Sequence, residues 1–203
     1  VAHVILKVVA VELNPTDLFT WASGIKSPIY CDTRLTISDP VIRKQLANGL
    51  AQNIKEFFPE TELVAGTATA GIPHAAWVSD ILELPMVYVR SKAKEHGRGN
   101  QIEGKYTAGQ KVVVVEDIVS TGGSSITAVE ALRAAGCEVV GVVCVYTYNL
   151  PKAEEAFDAA GVKYVSLTNF DYLVEAANES GTISQDQIPF LKEWHAKLKA
   201  GEL

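Results

Sequence analysis

Two spacings of apolar residues alternate through the middle of this chain. Short runs rich in β-branched residues occur at 62–65, Met86–Val89, 111–115, 139–146 and 163–165. Between them lie stretches in which apolar side chains return every three or four positions, at 41–58, 72–84, 124–135 and 152–160. The first spacing predicts strands and the second helices. The strands lack a polar face, as in the Lys-Val-Val-Val-Val run at 111–115. Strands apolar on both faces and alternating with helices predict a parallel sheet covered on both sides. Right-handed crossovers then give the fold class: α/β, a doubly wound parallel sheet.

Two regions fall outside this alternation. One is 18–35, rich in Ser, Thr, Pro and aromatic residues; the other is 169–203, which reads as a helix around 171–177 and another from 185 to 199. They predict a small hood built from the N- and C-terminal segments, about 1–39 and 168–203, over a core of about 40–167. No repeat, low-complexity tract or linker divides the chain, so 1–203 reads as a single domain. Open α/β sheets bind ligands at the carboxyl ends of their strands, where such a hood closes the site.

Composition narrows the function. The 203 residues, 48% hydrophobic and 21% charged, are those of one ordinary soluble domain. A net charge of −6 argues against a surface built for nucleic acid. No apolar run approaches the roughly 18 residues of a membrane span. The apolar start, 1–11, is broken by Lys7 and lacks the basic leader of a secretion signal. Cys31, Cys137 and Cys144 are odd in number and lack C-x-x-C spacing, which points to a reducing cytoplasm rather than a disulfide framework.

The chemistry concentrates after the run at 111–115. There Glu116 and Asp117 are followed by Ile118, Val119 and the turn Ser120-Thr121-Gly122-Gly123-Ser124-Ser125, which opens a helix. Two carboxylates at a strand end suit the vicinal hydroxyls of a ribose. Successive backbone N–H groups at a helix N-terminus, with glycines permitting close approach, suit a dianionic monophosphate. The plain alternative is a Ser124 N-cap beside a solvated strand end. A fully apolar strand ending in adjacent acids with the turn directly behind them favours ribose phosphate. No G-x-x-x-x-G-K-[ST] and no G-x-G-x-x-G after a strand is present, which excludes the P-loop and Rossmann solutions.

Three further segments support this. Arg90, Lys92, Lys94 and Arg98 fall within nine positions, with His96 among them and Gly97, Gly99 and Gly104 around them. A cationic loop of this kind can close over a departing pyrophosphate. The stretch from Gly66 to His74 offers a second set of backbone donors before a helix, and reads equally as a tight strand-to-helix turn. The stretch 19–30 carries the lone cation Lys26 among small and aromatic residues.

The segment 111–125 resembles the motif for 5-phosphoribosyl-1-diphosphate (PRPP) of the type I phosphoribosyltransferases. The Ser23-Gly24-Ile25-Lys26-Ser27-Pro28 segment and the Lys94-Glu95-His96-Gly97 loop resemble the orotate branch of that family. The resemblance implies an Mg²⁺-dependent orotate phosphoribosyltransferase of pyrimidine (UMP) biosynthesis, working as a homodimer whose mobile loop reaches the neighbouring subunit's site. It implies that Arg90, Lys94 and His96 contact PRPP, Lys94 and His96 in trans. Glu116, Asp117, Ile118, Val119, Ser120, Thr121, Gly122, Gly123 and Ser124 then hold ribose and 5′-phosphate, with Asp117 on the ribose hydroxyls and Ser120 close to orotate. Lys94, His96 and Asp117 are the catalytic set. The metal is held mainly by PRPP and water, and the peptide at Thr69 is expected to be cis. Enterobacterial members carry lysines where this chain has Ala22 and Ala70. That leaves Lys26, backbone amides and Tyr148 as alternatives for holding orotate. The rival readings are a phosphoribosyltransferase for another base and a PRPP-sensing regulator without turnover.

Overall fold

The computed structural model describes residues 1–7, 11–14, 16–20, 26–92 and 101–203. The N-terminal segment supplies helix α1 (Ala2–Lys7) and four short strands, β1 (Val11–Leu13), β2 (Phe19–Thr20), β3 (Lys26–Ser27) and β4 (Ile29–Cys31), then a 3-10 turn at Thr33–Ser38. The core alternates α2 (Pro40–Phe57), β5 (Leu63–Thr67), α3 (Gly71–Leu82), β6 (Met86–Val89), β7 (Ile102–Glu103), β8 (Lys111–Val119), α4 (Gly123–Ala134), β9 (Glu138–Thr147), α5 (Pro151–Ala159) and β10 (Tyr164–Asn169). Helices α6 (Phe170–Glu179) and α7 (Ile188–Ala200) end the chain, with a 3-10 turn at Gln185–Gln187 before α7.

Each core helix begins one residue before its apolar periodicity does, for a local reason. Pro40 and Pro151 occupy the first turns of α2 and α5, where a missing N–H costs nothing. Asp39 caps α2, accepting from the amides of Val41 at 2.9 Å and Ile42 at 3.0 Å.

The main sheet has the order β10-β9-β8-β5-β6-β7. Every pair is parallel except β6–β7, which is antiparallel. The expected all-parallel sheet is therefore a mixed one. β7 is two residues long, too short to register as a period, and it lies in the stretch whose charge dominated its reading. Along β8, Val113 and Val115 pack with α2 and α3, whereas Val112 and Val114 pack with α4 and α5. All four are fully buried. Alternation of facing with no alternation of polarity is the signature of a strand between two helical layers.

β8 runs four residues past the expected end at 115. Glu116, Ile118 and Val119 pair with Cys144, Tyr146 and Thr147 of β9. The two acids therefore belong to the strand itself. The terminal segments meet beside the carboxyl ends of the strands. Trp194 of α7 donates to the Lys26 carbonyl at 2.9 Å. His195 stacks on Phe170, with its Nε2 2.6 Å from the Tyr148 carbonyl.

Sheet and helix approach closely at Gly66. A Cβ built there lies 2.9 Å from the Ala75 side chain and 3.0 Å from the Ile72 Cα, both on α3, so relief requires the helix to move. Gly66→Ala is expected to cost about 1–3 kcal/mol, read as a fall of several degrees in Tm by circular dichroism. An unchanged Tm would mean that α3 slides freely on β5.

Candidate functional site

From β5 the chain passes to β6 on one side, and the next parallel strand, β8, is added on the other. The strand order thus reverses between β5 and β8, the place where an open α/β sheet leaves a crevice at its carboxyl edge. A cavity of about 540 Å³ opens there. One wall is Cys31–Arg34, from the end of β4 and the turn after it. The other walls are the loop Ala68–Ala70 after β5, and Glu116, Asp117, Ile118 and Ser124 from β8 and α4. A smaller space of about 70 Å³ shares Ala68 and Ser124 and is bounded by Arg90 and Ser91.

Glu116 is 4% exposed, and both its oxygens are engaged. The Thr67 hydroxyl donates to Oε1 at 2.6 Å and the Asp117 amide at 3.0 Å. The hydroxyls of Ser124 and Ser125 donate to Oε2 at 2.8 and 3.2 Å. Burial, and after it the neighbouring Asp117 carboxyl, push Glu116 up to about 7. The two acids thus differ in setting. Asp117 is half-buried at the cavity wall and accepts from the Thr33 hydroxyl at 2.6 Å.

The turn after β8 brings Ser120–Ser124 to the same edge. Gly122 caps α4 in a left-handed conformation with φ of 82°, and no side chain caps the helix. A side chain at Gly122 would also meet the Phe157 ring at 3.0 Å. Ser124 is turned onto Glu116 instead of serving as the cap, and no side chain caps the first amides of α4. Ser120, Thr121 and Gly123 are exposed there, while Val119 is buried beneath them.

Other expected residues are more dispersed. Lys94, His96 and Ala22 lie outside the described residues. Arg90 bounds the smaller space, its guanidinium 3.6 Å from the Glu103 carboxylate. Lys26 donates to Thr20 at 2.6 Å across the β2–β3 hairpin and does not line the cavity. Tyr148 is buried and edge-on to Tyr146. The Ala68–Thr69 peptide is cis, and Ala70 contributes a bare methyl to the wall. His74 is fully buried against Trp77, and burial holds it below its ordinary value. Burial and the flanking Asp117 and Asp32 push the Cys31 thiol far up, which removes it as a nucleophile.

Thr33, Asp32, Arg34 and Thr67 were not singled out by the sequence. Only the packing of the turn after β4 against β8 brings the first three to the crevice. Thr67 carried a signal, because a hydroxyl ending an apolar strand, one strand away from a buried acid, is a natural partner for it.

Residues 36–174 match the family model of the phosphoribosyl transferase domain. The orotate phosphoribosyltransferase of Listeria monocytogenes serotype 4b (strain F2365) is 59% identical over 194 residues, 96% of this chain and 93% of the relative. That of Bacillus cereus (strain B4264) is 59% identical over 96% of this chain and 92% of its own. The solved orotate phosphoribosyltransferase of Aeropyrum pernix superposes with a TM-score of 0.78 at 30% identity, over 90% of this chain and 99% of that one. The chain belongs to the orotate phosphoribosyltransferases, within the phosphoribosyl transferase domain family.

The Glu116 carboxyl makes a pH-dependent contribution whose sign is fixed. Its folded value of about 7 lies above the ordinary 4.5, so between these the native state holds a proton that the unfolded chain has released. Stability from this group therefore falls as pH rises from 4.5 to 7. Relative to Glu116→Gln, the wild type is expected to lose about 1–3 kcal/mol across that window, measured by urea unfolding at stepped pH. Parallel curves for the two proteins would show that folding does not raise the Glu116 carboxyl above its ordinary value.

Proposed function

We propose that the chain transfers the 5-phosphoribosyl group of PRPP to N1 of orotate, releasing pyrophosphate and orotidine 5′-monophosphate, in the crevice between β5 and β8. The observation that carries the assignment to this crevice is the meeting of Asp117 and the uncapped N-terminus of α4 on one 540 Å³ cavity. The carboxylate accepts from ribose hydroxyls. The amides of Ser120–Ser124 and the hydroxyls of Ser120 and Thr121, with Ile118 and Val119 behind them, receive the 5′-phosphate at the positive end of the helix. Glu116 takes part in binding from beneath, holding Ser124 and the Asp117 backbone in place through the contacts above.

On this reading Arg90, Lys94 and His96 neutralise the pyrophosphate as it leaves, Lys94 and His96 from the partner subunit of a homodimer. The core is about 40–167, and the terminal segments form the hood over it. The oxygen donors on the wall, Asp117 foremost, fit a hard cation that keeps its waters. Mg²⁺ bound with PRPP would supply charge neutralisation at the pyrophosphate. The ribose C1–O bond loosens through an oxocarbenium-like transition state while N1 of orotate attacks, and no covalent enzyme intermediate is required. The side chains bind, orient and exclude water. Buried, free Cys137 and Cys144 suit a reducing cytoplasm. Among the described residues no helix is long and apolar enough to cross a membrane.

Purified protein given orotate, PRPP and Mg²⁺ is expected to consume orotate absorbance, and added pyrophosphate to reverse it. No loss, with PRPP still bound in calorimetry, would favour another base or a regulator. Lys94→Ala is expected to lower kcat by about 10²-fold or more with little change in PRPP affinity. Mixed with Asp117→Asn, it should recover about one quarter of the wild-type rate, because half the dimers are mixed and each mixed dimer has one intact site. No recovery would show that the loop serves its own subunit.

A further inference from the structure

Orotate differs from uracil by a carboxylate on the ring carbon next to N1. On the reading above, that carboxylate enters the cavity within a few ångströms of the bond being formed. The described walls are poor in anything to receive it. Asp32, Glu116 and Asp117 are acids, and Ala70 is apolar. Lys26 is spent on Thr20 outside the cavity, and Arg90 bounds the smaller space beside Glu103. One cation lines the large cavity among the described residues: Arg34.

We propose that Arg34 binds the carboxylate of orotate, and that Asp32 positions it to do so. Thr33, the adjoining residue, is tied by its hydroxyl to Asp117 at 2.6 Å. The backbone that carries Arg34 is thereby fixed relative to the group assigned to the ribose. The guanidinium is oriented in turn. Its Nε donates to Asp32 Oδ1 at 2.6 Å and its Nη2 to Asp32 Oδ2 at 2.8 Å. Asp32 is itself held by the Arg34 backbone amide at 3.1 Å. Its side chain is 18% exposed, against 66% for Arg34, so the pair presents its arginine outward.

A guanidinium has five N–H groups in a rigid fork. Asp32 takes two of them from the Nε edge. The remaining three, on Nη1 and Nη2, have no acceptor among the described residues, and they lie on the edge that matches a carboxylate with two parallel hydrogen bonds. Pairing with Asp32 leaves little net charge. Recognition therefore rests on directed donors at short range and not on long-range attraction. A base without the carboxylate leaves this edge to water and gains nothing from it. Holding the fork in one rotamer before the base arrives removes an ordering cost from binding. Arg34 is thus the determinant that favours a carboxylated pyrimidine, and Asp32 is a positioning residue.

The test is steady-state kinetics with orotate, together with PRPP calorimetry, on full-length Arg34→Gln, Arg34→Lys and Asp32→Asn. Both Arg34 variants are expected to raise KM for orotate about 10- to 100-fold. Lysine does not rescue, because it is a point charge without the fork. Asp32→Asn is expected to raise KM less than either, since the fork survives with looser aim. PRPP affinity should stay within about twofold in all three, which a merely structural role through Thr33 and Asp117 would not allow. An orotate KM within about threefold of wild type in both Arg34 variants would overturn the assignment, as would a parallel loss of PRPP affinity. Failure of the wild type to consume orotate at all would instead sink the functional reading on which this one rests.

Discussion

Four hydrogen-bond donors converge on the carboxyl of Glu116, and they come from three elements. Thr67 ends β5, the Asp117 amide belongs to β8, and Ser124 and Ser125 open α4. The crevice at the strand-order reversal needs those three elements at fixed separation, and backbone pairing alone secures only β5 with β8. The first turn of α4 carries no side-chain cap, so its tie to the sheet edge runs through Glu116. Burial opposes ionisation strongly enough to push the group up to about 7. Its cluster of donors offsets much of that cost, which is the condition under which a buried acid is tolerated. Removing the acid would leave the Ser124 and Ser125 hydroxyls and the Asp117 amide without this acceptor, and the Thr67 hydroxyl with only the Val115 carbonyl at 3.3 Å.

A second tie, Thr33 to Asp117, joins the N-terminal segment to the core at the cavity. Farther out, Trp194 and the Lys26 carbonyl, and His195 and the Tyr148 carbonyl, link α7 to the N-terminal strands and to the end of β9. The two acids thus divide the labour by depth. Glu116 faces inward and sets the shape of the edge. Asp117, one residue on and on the other side of the strand, faces the cavity and connects it to the turn after β4. Successive side chains of a strand point to opposite faces, so adjacent acids can hold these separate roles on one strand.

The sequence made the layered core legible because the period of an apolar pattern reports how many faces a segment buries. The Val run of β8 and the helical spacing of α2 located both layers, the helix to within a residue at each end. The same reading missed β7, since two residues have no period. It ended β8 at 115, because polarity was taken as the end of burial and Glu116 is polar and buried. The acids and the turn after them stood out as a group because they are consecutive. The wall from Cys31 to Arg34 did not, because it reaches the site only by folding back from far away in the chain, the Thr33-to-Asp117 tie being one of separation 84. Local pattern shows which face of a segment is covered; it is silent on what covers it.

The thiol and two of the hydroxyls on the described cavity wall are withheld from nucleophilic attack. The one thiol there, Cys31, is held protonated by burial and by two nearby acids. The hydroxyls of Thr33 and Ser124 are committed to carboxylates. A site so furnished needs no covalent step. It can place two anionic reactants, withhold water and balance charge as a bond loosens. Those tasks call for donors fixed before the ligand arrives. The recurring device here is a side chain whose direction is set by a neighbour: Ser124 by Glu116, Asp117 by Thr33 and Arg34 by Asp32. Rigidity at the crevice and chemistry without a nucleophile therefore follow from the same arrangement.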